Sequence, residues 1–129
     1  MKQLEPGMMP FTRLMGVEVT SQEKDRIVGR ISVREDLCTT GRIMHGGAVM
    51  AMADALGAIG AYLNMPEGAK ATTTIESKTN FMRAAPLNSI VTGECTPLHV
   101  GRRTSVWQTT LRNEEHKTIA VVTQTQMVL

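Results

Sequence analysis

The chain has 129 residues, 42% hydrophobic and 20% charged, with 14 basic and 12 acidic side chains and a net charge of +2. That length supports one core-bearing domain over residues 1–129 and is short for two. Mixed, nearly balanced charge argues against a nucleic-acid or membrane-surface binder, which needs clustered basic residues; two Phe, one Trp and one Tyr are too few for a base-stacking platform.

In chain order, the start MKQLEPGMMPFTRLMG carries Glu5, Pro6 and Pro10 where a secretory leader needs unbroken apolar residues, so none is expected. A helical turn is expected near Phe11–Met15. The stretch GVEVTSQ reads as a short strand, joined by a polar QEKD turn to DRIVGRISVRED. There Ile27, Gly29, Ile31 and Val33 face one way and Val28, Arg30, Ser32 and Arg34 the other. A loop, LCTTGRIM, leads into HGGAVMAMADALGAIGAYL, a helix from about Gly46 to Leu63 that Asn64, Pro66 and Gly68 bring to a stop. Four Thr- and Val-rich strands follow, at 71–82, 89–99, 103–113 and 118–129. The breaks between them, RAAPLN, VGR and EEHK, are short enough to join antiparallel neighbours.

This order predicts an α+β domain in which one antiparallel sheet covers one long helix. From Ala48 to Leu63 the helix is apolar, Gly or Tyr at every position except Asp54. It falls short of the roughly 18–20 residues of a membrane span and carries an acid at its centre, so it is expected in the core. A sheet covers only one side of such a helix. The other side calls for a second surface, most economically an identical subunit with its two-fold axis near the helix.

Cys38 and Cys95 lie far apart without CxxC spacing. Two reduced thiols in a cytoplasmic protein are expected, with a disulfide as the alternative. No His/Cys/Asp cluster has metal-ligand spacing, so neither metal nor cofactor is expected.

Two features carry chemistry. Gly46 and Gly47 open the helix, where backbone N–H groups are unpaired and partly positive, and the missing side chains let a carbonyl oxygen approach. Two glycines also simply let a loop bend. Asp54 sits in what should be the most deeply buried segment, and an unpaired buried carboxylate costs several kcal/mol. It therefore either accepts hydrogen bonds or pairs with an Arg from another strand, as a structural group, or is used. Eight residues separate Gly46 from Asp54, roughly 12 Å along a helix, too far for both to act on one atom. Two antiparallel copies of the helix across a dimer axis would bring one copy's Gly46 beside the other's Asp54.

The segment GRIMHGGAVMAMADALGA, with the later NFMRAA and VGRRTSV, resembles the hotdog-fold acyl-CoA thioesterases. The closest type is the phenylacetyl-CoA (PaaI-like) and 4-hydroxybenzoyl-CoA thioesterase group, and the likeness runs from about Leu14 to the end. The resemblance implies a sheet wrapped around one central helix, an acyl-CoA substrate, an obligatory homodimer and commonly a homotetramer. By the same resemblance, Gly46 is the oxyanion donor and the partner subunit's Asp54 the nucleophile or general base. His45 lines the site or orients the loop before the helix, and Thr74 helps hold the attacking water. Relatives usually carry Asn or Gln six residues before the histidine; Thr39, or Thr40 after a one-residue shift, stands here. Some relatives also carry Ser or Thr four residues after the acid, where this chain has Ala58, placing more weight on Thr74. Arg102 and Arg103, and more weakly Arg83, resemble residues that meet the phosphates of coenzyme A; a solvated turn is the alternative. Met50, Met52 and Met82 are candidate walls of an acyl pocket. An enoyl-CoA hydratase or dehydratase and a non-catalytic acyl-CoA binder are the competing readings.

Overall fold

Proline sets the first described element. In the computed structural model, which describes residues 9–129, Pro10 begins helix α1 (Pro10–Met15), where a missing N–H and a fixed φ suit the first turn. Gly16 ends α1 in the left-handed region at φ 84°. Residues 1–8, including the Glu5 and Pro6 of the leader argument, lie outside the described residues.

Six strands follow: β1 (Glu18–Glu23), β2 (Arg26–Ser32), β3 (Thr72–Phe81), β4 (Ile90–Val100), β5 (Thr104–Arg112) and β6 (Thr118–Val128). Helix α2 (Gly46–Leu63) separates β2 from β3. The strands form one antiparallel sheet in the order β1-β2-β4-β5-β6-β3. With the single long helix packed on it, this is the hotdog architecture.

One expected pairing fails. The RAAPLN break does not join neighbours: β3 pairs with β6, and β4 pairs with β2. The connection instead crosses beneath the start of α2, held by hydrogen bonds from Met44 N–H to Ala85 O, Leu87 N–H to Arg42 O and Asn88 N–H to Val33 O. The β2–β4 register aligns Ile31 with Val91, Gly29 with Gly93 and Ile27 with Cys95, so alternation on both strands builds one apolar face.

That face continues through Trp107 and Leu111 of β5 and Val122 of β6, all buried. Gly60 of α2 lies so close to Trp107 that a Cβ there would come within 2.7 Å of the indole. Trp107 is fully buried, and its Nε1–H donates to Ser105 Oγ at 2.9 Å, so even its polar atom is satisfied inside. Truncating it to Ala would cost about 3–5 kcal/mol.

At 18 residues, α2 is two longer than the apolar run counted from Ala48, and by length and composition alone it could cross a membrane. More than half of it is buried against the protein's own sheet. Both cysteines are free, Cys38 half-buried and Cys95 buried. Burial pushes the Cys95 thiol up to about 11.

Candidate active site

Asp54 is not in the interior of the protomer. Helical rotation places it on the stripe Gly47, Ala51, Asp54, Ala58 and Tyr62, which the sheet leaves open or half-covered, while Ala53 and Ala55 beside it are buried. The expectation of a deeply buried acid is thus corrected: the segment is a core helix, but Asp54 occupies its uncovered side. No ion pair among the described residues includes it, so of the two structural alternatives the Arg partner does not hold there, whereas the accepted hydrogen bonds do.

What holds Asp54 is neutral and directional. Thr74 Oγ1–H donates to Asp54 Oδ1 at 2.8 Å, and Gln124 Nε2–H donates to the same oxygen at 3.2 Å. Gln126 Nε2–H in turn donates to Thr74 Oγ1 at 2.6 Å. Oδ2 accepts no hydrogen bond from the described residues. The carboxylate therefore has one oxygen fixed and one available. Thr74 directs its only hydroxyl proton at the acid, so a water here meets it as an acceptor rather than a donor.

The two glutamines were not singled out from sequence, although a signal exists. In TIAVVTQTQMVL the alternation that buries Val122 also points Gln124 and Gln126 inward, and both are essentially fully buried. Two amides on the buried face of a strand call for partners. Gln124 Oε1 has none among the described residues and is enclosed, a cost of about 1–3 kcal/mol.

At the other end of the site, His45 caps α2 in extended conformation, and its Nδ1 accepts from Gly47 N–H at 2.8 Å. This engages one of the two amides expected to face a ligand. Gly46 N–H makes no hydrogen bond to the described residues and remains the available donor. The Phe81 ring covers Gly46, where a Cβ would lie 3.1 Å from it. With Nδ1 accepting, the His45 ring carries its donor at Nε2.

Three clefts lined by described residues open around the helix. Gly46 lines one of about 440 Å³ together with Thr39, Phe81, Met82 and Arg83. His45 and Gly47 line a second of about 400 Å³ with Phe11, Leu14 and Leu37. Asp54 lines a third, of about 360 Å³, with Met9, Phe11, Ala51 and Ala58. The fold thus brings Thr39 and Arg83 to Gly46, and Thr74 to Asp54, but leaves Gly46 and Asp54 in separate clefts of one protomer. Thr39 Oγ1 accepts from Gly41 N–H at 3.2 Å, and Thr40 is exposed. Arg102 and Arg103 stand exposed in the β4–β5 turn and line none of these clefts. Met50 and Met82 are exposed, whereas Met52 is fully buried beneath the sheet face and cannot wall an open cleft. Among the described residues, no group of His, Cys, Asp and Glu is arranged to hold a metal ion.

Residues 41–120 match the model of the Thioesterase superfamily. A provisionally named esterase of Haemophilus influenzae is 30% identical over 116 residues, 89% of this chain and 82% of that protein. The 1,4-dihydroxy-2-naphthoyl-CoA hydrolase of Escherichia coli is 36% identical over 73 residues, 57% of this chain and 52% of that protein. Among solved structures, a Haemophilus influenzae thioesterase superposes with a TM-score of 0.83 at 28% identity, covering 89% of this chain and 79% of that one. The phenylacetic acid degradation protein PaaI of Thermus thermophilus gives 0.86 at 22% identity over 94% and 100% of the two chains, a likeness of fold alone.

Proposed function

The chain belongs to the thioesterase superfamily and is a thioester hydrolase, and from that premise we propose that it cleaves acyl-CoA to a carboxylic acid and free CoA in a site shared by two copies. One copy contributes the Gly46 N–H, which receives the carbonyl oxygen as it becomes an oxyanion. The other contributes Asp54, whose free Oδ2 either attacks the carbonyl carbon or takes the proton of an attacking water. In both routes the C–S bond breaks, water supplies the second carboxyl oxygen, and the CoA thiolate leaves and is protonated.

The observation that carries this reading is a separation. The free amide of Gly46 and the free oxygen of Asp54 belong to different clefts, eight residues apart on one rigid helix. Neither can reach the other's reacting atom without a second helix. Strand β3 supports the same conclusion, because it ends the sheet with one side of its backbone unpaired. It also leaves Ile75 and Phe81 more than half exposed. An apolar open edge of this kind suits pairing with a second copy. Arg83, beside Gly46, and the exposed Arg102 and Arg103 are matched to the phosphates of CoA. Dimers of this kind are expected to pair into tetramers.

Subunit mixing tests the shared site. Gly46→Pro deletes the N–H while leaving a residue that suits the first helical position; His45 is already extended, as a residue before proline must be. Asp54→Asn deletes the base. Each variant alone should release little thiol from acyl-CoA. Random re-association of the two should recover about a quarter of wild-type activity, since half the dimers are mixed and each has one intact site. No recovery in mixed dimers whose formation is verified, or full activity of Asp54→Asn, would overturn the proposal.

A further inference from the structure

We infer that Gln124 and Gln126 are positioning residues of the reaction centre, holding one carboxylate oxygen of Asp54 so that the other faces the substrate. The inference rests on the reading of Asp54 as the reacting acid. Three hydrogen bonds carry it: Gln124 to Asp54 Oδ1, Thr74 to Asp54 Oδ1, and Gln126 to Thr74 Oγ1.

The chemistry of the groups leaves little freedom. A carboxylate only accepts, so Gln124 must turn its NH₂ toward Asp54 and its Oε1 away. Oε1 then lies enclosed without a partner among the described residues. A merely structural glutamine on a buried face is expected to satisfy both ends; this one satisfies the end that meets the acid. Gln126 acts at one remove. Its NH₂ occupies a lone pair of Thr74, which turns the Thr74 hydroxyl proton toward Asp54.

The backbone confirms how tightly the first contact is built. Gly57, three residues after Asp54, lies directly under the Gln124 amide, and a Cβ there would approach Nε2 to 2.6 Å. Gln124 is therefore confined between the helix and the acid, with Asp54 Oδ1 as the acceptor for its donor. Positioning of this sort acts on rate, because a carboxylate displaced by about 1 Å from its productive geometry can cost about 100-fold. It does not act on CoA binding, since neither glutamine lines any of the three clefts.

The test uses Gln124→Met and Gln126→Met, which keep side-chain length and remove the donor, with thiol release followed over a range of acyl-CoA concentrations. The expected result is a kcat lower by roughly 10- to 100-fold at nearly unchanged KM for both variants. Gln126→Met should add no further loss once Thr74 is Val, because its effect passes through that hydroxyl, whereas Gln124→Met should still add one. Wild-type kcat in both glutamine variants, a loss confined to KM, or an undiminished Gln126→Met loss in the Thr74→Val background overturns the inference. Asp54→Asn is measured alongside. If it keeps wild-type turnover, the reading of Asp54 itself fails; if it is inactive while both glutamine variants are fully active, only the positioning role fails. Circular dichroism checks each fold, and where a Met variant does not fold, Gln124→Leu or Gln126→Leu removes the same donor without adding a charge.

Discussion

Gly57 has no side chain because Gln124 occupies the space one would need: a Cβ on Gly57 would stand 2.6 Å from Gln124 Nε2. Helix α2 and strand β6 meet there, three residues after Asp54. Gly57→Ala should push the amide off the carboxylate and strain the helix–sheet contact. We expect a stability loss of about 1–3 kcal/mol, the usual cost of overpacking a core, together with a lower kcat. Urea unfolding and thiol-release kinetics on the same preparation check both effects.

Gly46→Pro should separate rate from fold. It removes the one free amide at the start of α2 and leaves the His45 to Gly47 cap in place. Its ring must displace the exposed Phe81 slightly, which that side chain can accommodate. Loss of an oxyanion donor predicts a fall of about 100- to 1,000-fold in kcat, with far-UV circular dichroism unchanged.

Strand β3 should control assembly. Ile75→Lys puts a charge on the exposed apolar edge, a standard means of blocking edge pairing. Light scattering after size exclusion should show a dimer that dissociates on dilution at least about tenfold more readily than wild type. Thiol release should fall in step with the dimer fraction, because a lone protomer holds Gly46 and Asp54 in separate clefts.

Alkaline stability should depend on Cys95. Burial raises its thiol from 9.0 to about 11 in the folded protein. The unfolded chain therefore loses this proton first as pH rises, and ionisation favours unfolding. The contribution is fully present below pH 9.0, declines through the window and is lost above about 11. It amounts to about 2–3 kcal/mol. Urea titrations across that window should show a steeper decline for wild type than for Cys95→Ser, and the difference between the two curves isolates this thiol.

Much of the fold was legible because its signals are local. Period-2 alternation in DRIVGRISVRED puts Ile27, Gly29 and Ile31 on the buried face as expected, and Asn64 ends α2 where the Pro66 and Gly68 punctuation implied. The pairing of β3 was not legible. A short break between strands looks the same whether it turns a hairpin or crosses under a helix, and here hydrogen bonds to the 33–44 loop decide for the crossing. Asp54 was misjudged for a related reason. An almost wholly apolar helix gives no hint of which face its sheet will cover, so composition suggested burial where rotation left exposure.

From its residues alone, this chain determines where its helix and strands lie and that Gly46 and Asp54 are the groups worth attention. These follow from periodicity, backbone stereochemistry and a lone charge within an apolar run, all readable within a few residues. Tertiary structure decided the rest: that Gln124 and Gln126 of β6 reach back to Thr74 and Asp54, and that the two reactive ends open into different clefts. Such relations join residues up to seventy positions apart. They exist only once the sheet has closed over the helix and set which side chains can touch.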